Sequence, residues 1–76
     1  MLSDKKIIKY LIGTVNLRDI EVVNLLANDL RPFNIAKELG VGVRNIESII
    51  LKLRNKFECK SVAGLVVIFF RNGIIK

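Results

Sequence analysis

A chain of 76 residues with one cysteine and no histidine has no covalent or metal staple to hold it together. An intrachain disulfide is impossible, and the Cys/His ligands of a structural zinc are missing. A chain of this length buries only about 60% of its extended-chain surface, so its own core is marginal. Chains of this size often draw the rest of their stability from disulfides, a metal or a partner subunit. The routes left here are an economical helical core, a dimer, or both. Hydrophobic residues make up 51% of the sequence, too many for a disordered tail. The formal charge is nonetheless +6, from 13 Lys and Arg against 7 Asp and Glu. The apolar content points to self-association, the positive charge to a polyanionic partner.

No uninterrupted apolar run approaches the roughly 18 residues of a membrane span, so no membrane partner is expected. The longest, Val62 to Phe70, is followed by Arg71. The N-terminus is basic and then apolar, as in a secretory signal, but it lacks a small-residue cleavage site. A single unpaired cysteine fits a reducing cytoplasm, which is the expected location. Charge is distributed unevenly. Residues 43–76 hold Arg44, Lys52, Arg54, Lys56, Lys60, Arg71 and Lys76 against only Glu47 and Glu58. Nearly all the positive excess therefore lies in the C-terminal half.

Helical spacing runs through most of the chain. Ser3-Asp4 followed by Ile7, Ile8, Leu11 and Ile12 predicts a short amphipathic helix ending near Gly13. Asn16 suits the N-cap of the next helix, with Asp19 in the capping-box place. Ile20, Val23, Leu26 and Ala27 mark its buried stripe, and Asn28-Asp29 ends it. Pro32 fits the first turn of a third helix, Ile35, Ala36 and Leu39 face inward, and Gly40 supplies a left-handed stop. Val43–Phe57 is the clearest helix. Ile46, Ile49, Ile50, Leu53 and Phe57 cluster on one face, and Arg44, Ser48, Leu51 and Asn55 lie opposite, flanked by Glu47, Lys52 and Arg54. Ser61 suits the cap of a final helix reaching Asn72-Gly73. That last segment is rich in β-branched and aromatic residues, and Asn72-Gly73 is also a good hairpin turn. Periodicity alone leaves a helix and a β-wing both open there.

A short helix, a Gly-containing turn and a longer amphipathic helix form the helix-turn-helix layout. In such a unit the first helix and the core clamp the second, whose outer face enters a major groove about 12 Å wide. Basic residues around it hold phosphates.

The residues resemble a known family. Arg18-Asp19-Ile20-Glu21-Val22-Val23-Asn24-Leu25-Leu26-Ala27 looks like the R-E-x-E-V-L-x-L-x-A opening of a LuxR/FixJ-type (GerE-like) DNA-binding domain. Ile35-Ala36-Lys37-Glu38-Leu39-Gly40-Val41 follows where that family has I-A-x-x-L-x-I. Asn45-Ile46 stands in the place of Thr-Val, and Leu53, Lys56 and Phe57 occupy the I-x-x-K-L places. The register runs without a gap from Val15 to about Asn72. The resemblance implies an all-α helix-turn-helix bundle of four helices over residues 15–76, behind a helical N-terminal extension over residues 1–14. It implies a helical last element that dimerises the domain, with Val62, Val66, Val67, Phe69 and Phe70 as the seam. The family usually has Ser at Gly42, Thr at Asn45, Lys at Glu47, His at Ile49 and Arg at Val62. Of these departures Glu47 matters most, since it sets a negative charge where relatives present a cation to DNA.

The expectation is a bacterial, cytoplasmic transcription regulator that binds double-stranded DNA as a homodimer, with recognition helix 43–57. Its expected DNA contacts are Asn34, Arg44, Asn45, Glu47, Ser48, Leu51, Lys52 and Lys56. Arg18 is expected to pair with a carboxylate such as Glu21, and Cys59 to lie in the core. No cofactor or metal is expected. Without histidine, a Gly-rich phosphate loop or a carboxylate pair in a cleft, no general base has a partner, and no catalysis is expected. The chain carries no receiver or ligand-binding domain, so control is expected through expression level or a partner if the chain stands alone. A second reading keeps the fold but lets Leu51 and Glu47 grip another regulator or an RNA polymerase subunit.

Overall fold

A computed structural model describes residues 5–76, which form five helices and no strand: α1 (Lys5–Ile12), α2 (Leu17–Ala27), α3 (Pro32–Leu39), α4 (Val43–Lys56) and α5 (Val62–Arg71). The Ser3-Asp4 start expected for the first helix lies outside the described residues. The C-terminal segment is helical, and the β-wing alternative falls.

Each helix begins and ends for an identifiable reason. At the start of α2 the Asp19 amide donates to Asn16 Oδ1 at 2.8 Å and the Asn16 amide to Asp19 Oδ2 at 3.4 Å. This reciprocal capping box satisfies two amides that helix geometry leaves unpaired. Pro32 opens α3, where a missing N–H is harmless. Ser61 caps α5 by accepting from the Gly64 amide at 3.1 Å. The ends repeat one device. After α2, α4 and α5, residues Asp29, Glu58 and Gly73 turn left-handed at φ 68°, 53° and 71°. In each case the next residue donates back to the third-last carbonyl of the helix: Leu30 to Leu25, Cys59 to Arg54, and Ile74 to Phe69. Gly40 does the equivalent after α3 at φ 69°. Four sharp stops thus fold the described residues back on themselves without long loops.

The core has two lobes joined through α2 and α4. One lobe, between α2, α3 and α4, contains Val22, Ile35, Ala36, Ile46 and Ile50. The other, between α2, α4 and α5, is built on Val23, Leu53, Phe57, Leu65, Ile68 and Phe69. Phe57 and Phe69 meet edge to face, with centroids 5.4 Å apart and planes at 70°, a geometry contributing about 0.5–1.5 kcal/mol beyond burial. Neighbouring Val22 and Val23 each serve a different lobe.

Several expectations need correction. The buried stripe of α2 includes Val22, whereas Ala27 is exposed, because packing on two sides shifts the inward face. Ile8, Leu11 and Ile12 of α1 pack on the second lobe, but Ile7 is half exposed. The helix expected over residues 43–57 stops at Lys56, with Phe57 as its cap. The last residues do not trail away. After the left-handed turn at Gly73, Ile75 folds back and is buried in the second lobe.

Candidate nucleic-acid interface

The outer face of α4 is held in place from beneath. Ile46 and Ile50 pack against Ile35 and Ala36 of α3, and Leu53 and Phe57 pack against α5. The turn between α3 and α4 is closed by the Val41 amide donating to the Ala36 carbonyl at 3.0 Å. With its inner face fixed this way, α4 presents Arg44, Asn45, Glu47, Ser48, Leu51 and Lys52 to solvent. Arg44, Glu47, Ser48 and Leu51 border one shallow concavity. Arg44, Asn45, Ser48, Ile49 and Lys52 border a second, so Arg44 and Ser48 form the ridge between them. Asn34 is exposed on α3 and belongs to neither.

Lys52 plays a different part from the expected one. Its ammonium lies 3.3 and 3.4 Å from the two carboxylate oxygens of Asp19, 33 residues away in sequence. Asp19 is only 2% exposed, and a buried carboxylate requires a cation and hydrogen bonds. The α2 cap and the α4 cation supply both. Lys52 is thus first a clamp between α2 and α4, and only its half-exposed remainder faces outward. Asp19 is the positioning residue that local reasoning missed, since within α2 its spacing announces a cap and nothing more.

The other cations divide similarly. Lys56 Nζ donates to Thr14 Oγ1 at 3.0 Å, tying the end of α4 to the α1–α2 connection. Arg54 Nη2 donates to the Lys60 carbonyl at 2.5 Å, so this guanidinium braces the α4–α5 junction. Arg18 pairs with Glu21 across one helical turn, 3.7 Å apart, as expected. Arg44 makes no ion pair among the described residues and is the cation on the α4 face left free for a ligand.

On α5 the five residues expected at a seam are unequally exposed. Phe69 is fully buried against Phe57 and cannot reach a partner, because it points into the second lobe. Val62 and Val66 are half-buried against the core. Val67 and Phe70 are 43% and 62% exposed, and with Ala27 and Val66 they line an apolar depression. Cys59 is buried as expected. Burial pushes its thiol pKa up, against a smaller opposing pull from Arg54.

Among the described residues no helix is long and apolar enough to cross a membrane. Comparisons with protein-family models, with curated proteins and with solved structures found no match.

Proposed function

We propose that this chain is a LuxR/FixJ-type helix-turn-helix regulator of bacterial transcription that binds double-stranded DNA as a homodimer. The observation that carries the reading is the outer face of α4, which is exposed and mostly polar, with Arg44 near its N-terminal end unpaired among the described residues, while its inner face is locked to α3 and α5. A rigid helix with such a face is what major-groove recognition needs. Lys56 and the outward part of Lys52 dock on phosphates. Arg44, Asn45, Glu47, Ser48 and Leu51 then meet base edges, and Asn34 contacts the backbone beside them. Val67, Phe70 and the rim of Val66 pair across a two-fold axis, so two copies of α4 face half-sites about one helical turn apart. The activity is binding without catalysis or cofactor, and the setting is the cytoplasm.

Affinity for a random duplex should fall steeply as salt rises, and Lys56→Ala should flatten the logarithmic slope by about one unit. No salt-dependent binding at low ionic strength would sink the reading. In sedimentation, Val67→Glu and Phe70→Glu should each give monomers. An unchanged dimer puts the seam elsewhere.

One observation favours a second reading, in which the same fold grips another regulator or an RNA polymerase subunit. Phe33 and Leu51 are large apolar side chains 65% and 56% exposed on α3 and α4. If purified RNA polymerase binds the chain and Leu51→Ala abolishes that binding while duplex DNA is ignored, this reading replaces the first.

A further inference from the structure

We propose that Glu47 selects a cytosine in each DNA half-site by accepting a hydrogen bond from the cytosine N4 amino group in the major groove. The inference rests on the DNA-binding reading of α4 and deepens it. Glu47 is the fifth residue of α4, in the N-terminal half that recognition helices present to base edges. It is exposed, shares a concavity with Arg44, Ser48 and Leu51, and forms no ion pair among the described residues. Arg44, one turn earlier, therefore leaves its charge uncompensated.

An ionised carboxylate only accepts hydrogen bonds, and phosphate oxygens only accept as well. Glu47 therefore has no favourable contact with the DNA backbone. In the major groove the donors are the N4 amino group of cytosine and the N6 amino group of adenine. The adenine donor sits beside the N7 acceptor of the same base, which repels a carboxylate, whereas cytosine carries no acceptor on its own groove edge. Cytosine is the base that fits. From Arg44 to Leu51 the helix rises about 10 Å, roughly three base-pair steps. Arg44 can thus reach a guanine edge and Leu51 a thymine methyl on either side of that cytosine. On any duplex lacking it, Glu47 lies within about a Debye length of phosphates and weakens binding. The residue discriminates chiefly by penalising wrong sequences.

The test is selection from randomised duplexes by the whole chain, comparing wild type with Glu47→Ala and Glu47→Gln. Both variants change an exposed helix position and keep good helix formers. The wild-type motif should hold one fixed cytosine per half-site, whose replacement lowers affinity about tenfold or more. Glu47→Ala should bind random duplex more tightly and lose preference at that position alone. Glu47→Gln should shift the preference to adenine, which a carboxamide can contact through N6 and N7. An unchanged cytosine in the Glu47→Ala motif overturns the assignment while leaving DNA binding intact. Absence of salt-dependent binding by all three proteins overturns the DNA-binding reading itself.

Discussion

The outer face of α4 carries Arg44, Ser48, Leu51 and Asn55, whereas that of α5 carries Ala63, Val67 and Phe70. Both helices rest on the same second lobe of the core, and both turn one side to water. Their exposed chemistry is opposite. The α4 face offers hydrogen-bond donors and a free guanidinium, groups that lose little when they meet a wet, charged surface. The α5 face offers aliphatic and aromatic surface, whose removal from water stabilises by roughly 25 cal/mol per Å². One small core thus supports two surfaces of different chemistry, and each can be altered without dismantling the other.

That separation can be broken or sharpened by experiment. The largest expected effect divides two neighbours on α5. Phe69→Ala should cost about 3–5 kcal/mol in urea denaturation, because it empties the second lobe opposite Phe57. Phe70→Ala should cost under about 1 kcal/mol in a dilute, monomeric sample. Equal losses would mean that α5 has no separate outer face. Next, Asp19→Ala should lower stability by about 1–2 kcal/mol in thermal melts, through the lost carboxylate half of the α2 capping box and the lost pairing with Lys52. It should also release Lys52 to the outer face of α4. If Asp19→Ala is neutral, Lys52 is not anchored and belongs with Arg44. A smaller effect of opposite sign tests the junction between the two helices. Glu58 holds φ 53° at a position that suits glycine, so Glu58→Gly should stabilise by about 0.5 kcal/mol. Smallest of all, Ser48→Ala should move the denaturation midpoint by no more than about 0.5 kcal/mol equivalent. A large loss there would make the α4 face part of the scaffold.

How far the sequence predicts this arrangement depends on how one-sided each helix is. The inner face of α4 was readable because its apolar residues other than Val43 and Leu51 occupy a single sector, and Ile46, Ile50 and Leu53 are indeed buried. The caps at Asn16, Ser61 and Gly40 were equally legible, since each rests on contacts a few residues long. In α5 nearly every residue is apolar, so periodicity could not separate buried Phe69 from exposed Phe70. The same ambiguity in α2 hid Val22 and promoted Ala27. The Asp19–Lys52 clamp spans 33 positions, and no local pattern announces a contact at that range. The return of Ile75 to the core was invisible for a related reason: a short tail after a glycine carries no period at all.

The lone cysteine makes the molecule its own probe of motion. Cys59 follows the left-handed turn after α4, is 7% exposed, and directs its thiol to the Phe57 carbonyl at 3.6 Å. A thiol reagent can reach it only when the α4–α5 junction parts, so labelling of native protein counts those openings one by one. Its raised pKa keeps the reactive thiolate scarce, and labelling should quicken as the solution becomes more alkaline. Joining two subunits through α5, or clamping α4 on a ligand, would each slow the same reaction. One sulfur atom thereby reports on both surfaces while belonging to neither.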